Sequence, residues 1–350
     1  MAVTIADVAK KAGVGIGTVS RVVNGGVHVR EDTRTRVMQA MSDLGYHPNA
    51  HAQNLKRATA TAIGFLFMSD QRQMSDPFFS TLMAGMADAA GELNHDLHVV
   101  SCRQPSKELV TLERLIHSNR VSGLILTDTR LDDMRVDVLL KAQFPFVAFG
   151  RTQMQSKYTA APYVDVDGRM GMRQTMAHLI GMGHRRIGFI TLPAHLMCAQ
   201  DRLNGYHDGL DVAGIAINPA YTVAGGLSEA DGQRAATELL LLSEPPTALV
   251  CCSDVMAFGA ARAIVKRGLR VGYDMALVGF DDIPLAAHAS PPLTTVHQPI
   301  YDIGCEVVQI LVQHIQGQAT QSRLIEPRLI IRESTSGAVP KHEKEVRIAH

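Results

Sequence analysis

Residues 4–24 read TIADVAKKAGVGIGTVSRVVN, and within them Gly15-Ile16-Gly17-Thr18-Val19-Ser20 comes within one residue of the G-x-G-x-x-G loop that holds a dinucleotide pyrophosphate. Such a loop has to follow a β-strand, because its helix N-terminus receives the phosphates at the carboxyl edge of a sheet. The residues upstream do not read as a strand. Ile5, Val8, Ala9 and Ala12 recur at i, i+3, i+4 and i+7, one face of a helix. Thr4 stands at its N-cap, Asp7 in its first turn, Lys10 and Lys11 in its last, and Gly13 at a left-handed stop. A second short helix, about residues 15–23, turns Val19, Val22 and Val23 inward and Ile16, Gly17, Ser20 and Arg21 outward. Two short helices joined by a Gly-containing turn make a helix-turn-helix, whose second helix offers its N-terminal side chains to base edges in the DNA major groove. Ile16 suits a thymine methyl, and Arg21 a guanine or a phosphate. A third helix is expected over 32–44, with Val37, Ala40, Met41 and Leu44 as its buried stripe, stopping at Gly45-Tyr46-His47-Pro48.

Composition bounds the rest. A chain of 350 residues exceeds what one core serves and predicts two or three domains. Lys+Arg and Asp+Glu balance at 34 each, yet residues 1–60 carry eight basic and four acidic side chains, so that end is +4 and the remainder −4. A basic end on an acidic body fits a polyanionic partner, and fits a solvated basic face equally well. Five scattered cysteines without C-x-x-C spacing read as buried structural thiols, with neither a disulfide framework nor a zinc site. There is no basic flank followed by an apolar run near Met1, and no apolar run approaches the roughly 18 residues that span a bilayer. A cytoplasmic protein without a membrane partner is expected.

From Thr61 the pattern changes to short apolar runs alternating with helical ones: AIGFLFM, FFSTLMAGMADAAGEL, DLHVVSC, LVTLERLIHS, VSGLILT, and from Val164 a second such series ending in MALVGFDD. This βαβ rhythm implies parallel strands with helices on both faces. Enzyme signatures are missing: there is no G-x-S-x-G elbow, no P-loop, no H-x-x-x-H pair flanking a Glu and no cluster at metal spacing, so no catalytic residue, metal or cofactor is expected.

The stretch TIADVAKKAGVGIGTVSRVVNG, followed by TRTRVMQAMSDLGYHPNAHAQNLK, resembles the DNA-binding headpiece of LacI-family transcription regulators. GHRRIGFI at 183–190, VGYDMALVGFDDIPLA at 271–286 and PPLTTVHQPIYDIG at 291–304 resemble that family's effector-binding core, related to periplasmic sugar-binding proteins. The resemblance runs from about Val3 to Ser334. It implies an all-α helix-turn-helix headpiece (1–48), a hinge helix and linker (49–60), a two-lobed α/β core of the type I periplasmic-binding-protein kind (61–336) and a flexible tail (337–350). It places the first lobe at about 62–161 completed by 292–322, and the second at about 162–291 completed by 323–335, with a ligand cleft between them.

The resemblance further implies DNA contacts at Thr4, Ile16, Gly17, Thr18, Ser20, Arg21 and Asn24, and hinge contacts at Ala52, Gln53 and Leu55, the leucine wedging into the minor groove at the centre of a palindromic operator. Leu55 packing on the protein core is the plain alternative. Gly15 and Arg30 depart from the serines frequent at those positions, which redistributes phosphate contacts. Effector contacts are implied at Arg202, in DRLNGY, and at Asp281, in GFDD, with Phe78, Phe79, Arg151, Leu227, Ser253 and Gln298 around them. A forked guanidinium and a carboxylate acceptor together suit a polyol, although Leu227 stands where many sugar sites carry an aromatic ring. Asp165 and Asp167 read as caps of the following helix. Met256, Phe258 and residues 260–263 sit on a helix that similar proteins use to dimerise, with buried core as the rival reading. The expectation is a homodimeric repressor released from DNA by a sugar-like molecule, the alternatives being a purine or other corepressor, or a solute-binding protein.

Overall fold

Reciprocal hydrogen bonds between Thr4 and Asp7 open the headpiece. In the computed structural model, which describes residues 4–23, 29–44, 62–68, 76–152 and 161–337, the Asp7 amide donates to Thr4 Oγ1 at 3.4 Å and the Thr4 amide to Asp7 Oδ2 at 2.8 Å. This capping box starts α1 (Ile5–Ala12), and Gly13 at φ +65° ends it. The two helices that follow, α2 (Ile16–Val23) and α3 (Glu31–Leu44), each start one residue away from the expected position. Val8, Ala9, Ala12, Val19, Val22, Val37 and Ala40 close a small core, with Val23, Met41 and Leu44 packed at its margin. A Lys11–Asp43 ion pair at 3.0 Å joins α1 to α3.

The chain divides into two compact units, Met1–Ala60 and Thr61–His350. The second alternates strand and helix. Its first sheet combines β1 (Ala62–Met68), β2 (Asp96–Cys102), β3 (Gly123–Leu126), β4 (Phe146–Phe149), β5 (Tyr163–Val166) and, from far along the chain, β11 (Arg323–Ile325). The order is β2-β1-β3-β4-β5-β11, with every pair parallel. One face is covered by α4 (Pro77–Glu92) and α12 (Ile300–Ile315), which set Leu82, Met86, Ile303 and Val307 against Ile63, Phe65 and Val147. The other is covered by α5 (Glu108–His117) and α6 (Met134–Lys141), which bring Leu112, Leu115 and Leu139 onto Leu66, Leu124 and Phe146. Burial on both faces is why β3 reads as an uninterrupted apolar run rather than an alternating one. α4 and α12 approach closely enough that a Cβ at Gly85 would lie 2.1 Å from the Tyr301 carbonyl oxygen.

The second sheet holds β6 (Ile187–Thr191), β7 (Thr222–Ala224), β8 (Ala248–Cys251) and β9 (Ala276–Val278) in the parallel order β7-β6-β8-β9. Its helices are α7 (Gly168–Gly181), α8 (Met197–Val212), α9 (Glu229–Leu240) and α10 (Asp254–Lys266). A short antiparallel pair, β10 (Thr295–His297) with β12 (Arg328–Ile330), and the short helices α11 (Pro284–His288) and α13 (Glu333–Ser336) complete the unit. No described helix is long and apolar enough to cross a membrane.

Two lobe boundaries differ from expectation. β5 hydrogen-bonds to β4, and β11 to β5, so residues 163–166 and 323–325 belong to the first sheet and not to the second lobe. The chain leaves the first lobe after Val166 and again after Ile325. Strand adjacency decides this, and an apolar run carries no mark of its neighbour. On α10, Met256, Ala260 and Ala263 are buried in their own lobe's core, so the buried-core alternative holds for them; Phe258 and Ala261 pack at its edge, and Arg262 is exposed.

Candidate functional site

On the headpiece, the outward face of α2 carries Ile16, 53 % exposed, with Gly17 and Arg21 exposed and Thr18 and Ser20 half-buried. Nothing lies within 4 Å of where a Cβ would stand at Gly15 or Gly17, so the start of this helix is thin and open. Thr4 is exposed, and its hydroxyl bonds to Asp7 Oδ2 at 2.6 Å, which with the amide bond holds that carboxyl below its usual range. Asn24, Ala52, Gln53 and Leu55 lie outside the described residues.

In the second unit a cavity of about 870 Å³, counted with its open mouth, separates the lobes where the strands of both sheets end. The wall from the first lobe is aromatic. Phe78 and Phe79 come from the first turn of α4, which Asp76 caps by accepting from the Phe78 amide at 3.0 Å. Phe78 stacks on Phe149, at the end of β4, with ring centroids 5.9 Å apart. Beside them the loop bearing Thr127, Asp128 and Thr129 is clamped from behind by a buried ionic network. Glu108 accepts from Arg130 at 2.7 and 3.0 Å and from Arg135 at 3.1 Å, while Arg135 also donates to Asp133 at 2.6 Å and to the Thr127 and Asp128 carbonyls at 3.0 Å. The clamped loop meets the second lobe through backbone bonds, Leu131 to the His195 carbonyl at 3.1 Å and Met197 to the Thr129 carbonyl at 2.9 Å.

The wall from the second lobe is ionic. Arg202, on α8, is 8 % exposed; its guanidinium carbon lies 3.7 Å above the centre of the Phe280 ring, its Nη1 donates to the Cys252 carbonyl, and its buried Nε has no hydrogen-bond partner. Asp281 holds φ at +116°, a conformation side chains rarely adopt, and the next residue, Asp282, is also left-handed at +55°. The turn is pinned from several sides. Gln298 donates to Asp281 Oδ1 at 2.6 Å, the Asp281 amide to the Val296 carbonyl at 2.9 Å, and Arg332 to Asp282 at 2.7 Å. Asp254, fully buried, accepts from the Ile283 amide at 2.9 Å and from Thr295 Oγ1 at 2.5 Å. Burial pushes the Asp281 carboxyl well above the usual range against the pull of Arg202, and lifts Asp254 to about 7.

Of the expected contacts, Phe78, Phe79, Arg202, Leu227, Ser253, Asp281 and Gln298 converge on this cavity. Ser253 does so with its Oγ accepting from the Met256 amide at 3.2 Å, as the cap of α10. Arg151 is turned to other partners, Asp165 at 2.9 Å and Asp201 across the lobes. The expected pair of caps separates. Asp167 caps α7 by accepting from the Met170 amide at 2.9 Å, whereas Asp165 is buried, accepts from the Arg151 amide at 3.1 Å and lines the cavity. The reason is Arg151, whose position opposite β5 the spacing of the chain does not reveal. Asp76, Asp128 and Asp201 also line the cavity; Asp76 and Asp201 open the motifs DPFF and DRLNGY, which is the one signal the sequence carries for them. Cys198 and Cys252 line it as well, and burial raises their thiols to about 11 and about 12, which keeps them protonated and unreactive.

A basic headpiece with an exposed recognition helix, and a two-lobed core closing on a small-molecule cavity, define a DNA-binding regulator rather than an enzyme. Residues 4–49 match the family model described as bacterial regulatory proteins of the lacI family, and residues 176–335 the periplasmic binding protein-like domain. Over 336 residues the chain is 34 % identical to the HTH-type transcriptional repressor CytR of Escherichia coli K12, covering 95 % of this chain and 96 % of that one. Among solved structures, the Lac repressor dimer bound to operator and the anti-inducer ONPF superposes with a TM-score of 0.85 at 32 % identity, over 96 % of this chain and 99 % of that one. A complex of the regulator CelR with cellobiose gives 0.74 at 32 % identity, over 95 % and 99 %. The chain belongs to the LacI family of DNA-binding transcription regulators.

Proposed function

We propose that the protein is a homodimeric repressor that holds a twofold-symmetric operator and releases it when a small polyhydroxylated effector occupies the interlobe cleft. The observation that carries this reading is the convergence of Arg202, Asp281 and Gln298 on one cavity between the lobes. Hydroxyl groups serve both the acceptor carboxylate and the unpartnered Arg202 Nε. The cellobiose complex of CelR and the operator complex of the Lac repressor support the two halves of the proposal in relatives. In this reading Thr4, Ile16, Gly17, Thr18, Ser20, Arg21 and Asn24 meet the major groove and its phosphates, and Ala52, Gln53 and Leu55 meet the minor groove. Because backbone bonds between residues 129–131 and 195–197 form only with the lobes together, a ligand that prefers the closed cleft shifts DNA affinity by its own preference for that state.

The test uses operator sites selected from randomised duplexes and a panel of sugars. Arg202→Ala is expected to retain operator affinity within about threefold and to lose the response to an effector that releases the wild type, a drop of about 10²-fold in effector sensitivity for a lost charge-assisted contact. A variant that responds as the wild type does refutes the assignment of the cleft.

A further inference from the structure

The segment of the second lobe that leads into α8 is fastened to the first lobe twice. Its backbone takes part in the bonds from Leu131 to the His195 carbonyl at 3.1 Å and from Met197 to the Thr129 carbonyl at 2.9 Å, with an antiparallel bridge between Arg130 and Leu196. One turn further along α8, Asp201 receives the guanidinium of Arg151, which comes from the loop after β4. Arg151 is anchored in its own lobe first. Its amide donates to Asp165 Oδ2 at 3.1 Å and its Nε is ion-paired with the same oxygen at 2.9 Å, which leaves Nη2 to reach across. Burial works against the Arg151 charge, and the attraction of Asp165 and Asp201 outweighs it.

Two charge networks therefore meet α8 and its approach, and they differ in kind. Glu108, Arg130, Asp133 and Arg135 all belong to the first lobe, with Arg135 only 2 % exposed, so parting the lobes leaves that network whole. Arg151 and Asp201 sit on opposite lobes, and each keeps a partner at home. Arg151 has Asp165, while the Asp201 side chain is 20 % exposed and lies in the field of Arg169 on α7. Separation strands neither charge in apolar surroundings, so the contact can open and re-form without the penalty of an unpaired buried ion. We propose that Arg151 is a positioning residue whose ion pair with Asp201 is a reversible latch between the lobes. Arg202 is the next residue of α8, so the latch that closes the lobes also brings Arg202 to face the first-lobe wall of Phe78 and Phe149. Arg151 serves closure in place of the effector contact that the family resemblance implies for it, and this role does not depend on which molecule enters the cleft.

The amides of Leu131 and Met197 report the latch directly, because their acceptors lie on the opposite lobe. Amide hydrogen exchange is followed at residue level by mass spectrometry in the full-length protein, without ligand or DNA. Where closing outpaces exchange, the rate at these amides tracks the fraction of open lobes. Arg151→Gln and Asp201→Asn are each expected to speed exchange at Leu131 and Met197 about tenfold, as for one lost charge-assisted contact, while amides inside β3 and β6 keep their protection. The double variant is expected to exchange no faster than either single one, since both remove the same contact. In the wild type, raising salt from about 0.05 M to about 0.5 M is expected to speed the same two amides, and to leave them unmoved in the double variant, because a partly exposed pair is screened. Unchanged exchange in the single variants, additive effects in the double one, an equal rise throughout β3 and β6, or a wild type indifferent to salt each overturns the latch.

Discussion

The headpiece and the two-lobed core place their working side chains by opposite means. In the headpiece, Ile16 and Arg21 stand exposed on an eight-residue helix, and what orients them is local: a capping box of four residues on the preceding helix, a left-handed glycine and a core of small apolar residues. In the core, Arg202 and Asp281 are buried, and their supports come from Cys252, Gln298 and Phe280 in other elements. Exposed groups cost little to present to a large polyanion. Buried ones need partners drawn from distant parts of the chain to offset their desolvation, and they respond to whatever alters those partners. One region is suited to hold DNA, the other to register a small molecule.

The core is most vulnerable at the ionic clamp behind the first-lobe wall. Arg135→Met leaves Glu108 and Asp133 buried with less positive charge and frees the carbonyls of residues 127 and 128. A loss of about 3–5 kcal/mol in the core's unfolding free energy is expected in urea titration, with the headpiece's own transition unmoved. A loss below about 1 kcal/mol would mean that the loop is held by packing alone.

A smaller effect is expected at Asp254, and it depends on pH. Its folded value lies near 7, above its ordinary 3.8, so the folded state favours the protonated form. That contribution is complete below about pH 4 and is lost as pH rises to about 7, with a slope of at most about 1.4 kcal/mol per pH unit. Asp254→Asn removes the titrating proton and is expected to flatten the fall of the core's melting temperature between pH 4 and pH 7. An unchanged slope would assign the pH dependence to other groups. The smallest effect belongs to the headpiece: Thr4→Ala removes the α1 cap and is expected to cost about 1 kcal/mol there, read by amide exchange in α1, while ligand affinity in the core stays constant. A change in ligand affinity would show that the two regions are not separately built.

Helix α1 was legible to the residue because its cap, its apolar spacing and its stop lie within ten positions of one another. Arg202 and Asp281 were legible through the family resemblance of the motifs that contain them, DRLNGY and GFDD. Arg151 marks the limit of such motifs: AFGR gives the residue its place in the chain, but its guanidinium is held by Asp165 and Asp201, one beside it in the sheet and the other on the opposite lobe. Asp165 reads as a cap in the sequence for the same reason, since its neighbour Asp167 does cap and only strand pairing tells the two apart.

What the sequence by itself determined is therefore everything carried by short-range periodicity: three headpiece helices with an open recognition face, and the alternation that commits residues beyond 61 to parallel sheets. The tertiary structure alone decided which lobe owns β5 and β11, which acids meet in the cleft, and which arginine is left with an unpartnered nitrogen there. The physical reason is that these choices rest on hydrogen bonds and charge contacts between residues as distant as Asp165 and Leu324, or Asp254 and Thr295. Periodicity reports which face of an element is buried, and is silent about what it is buried against.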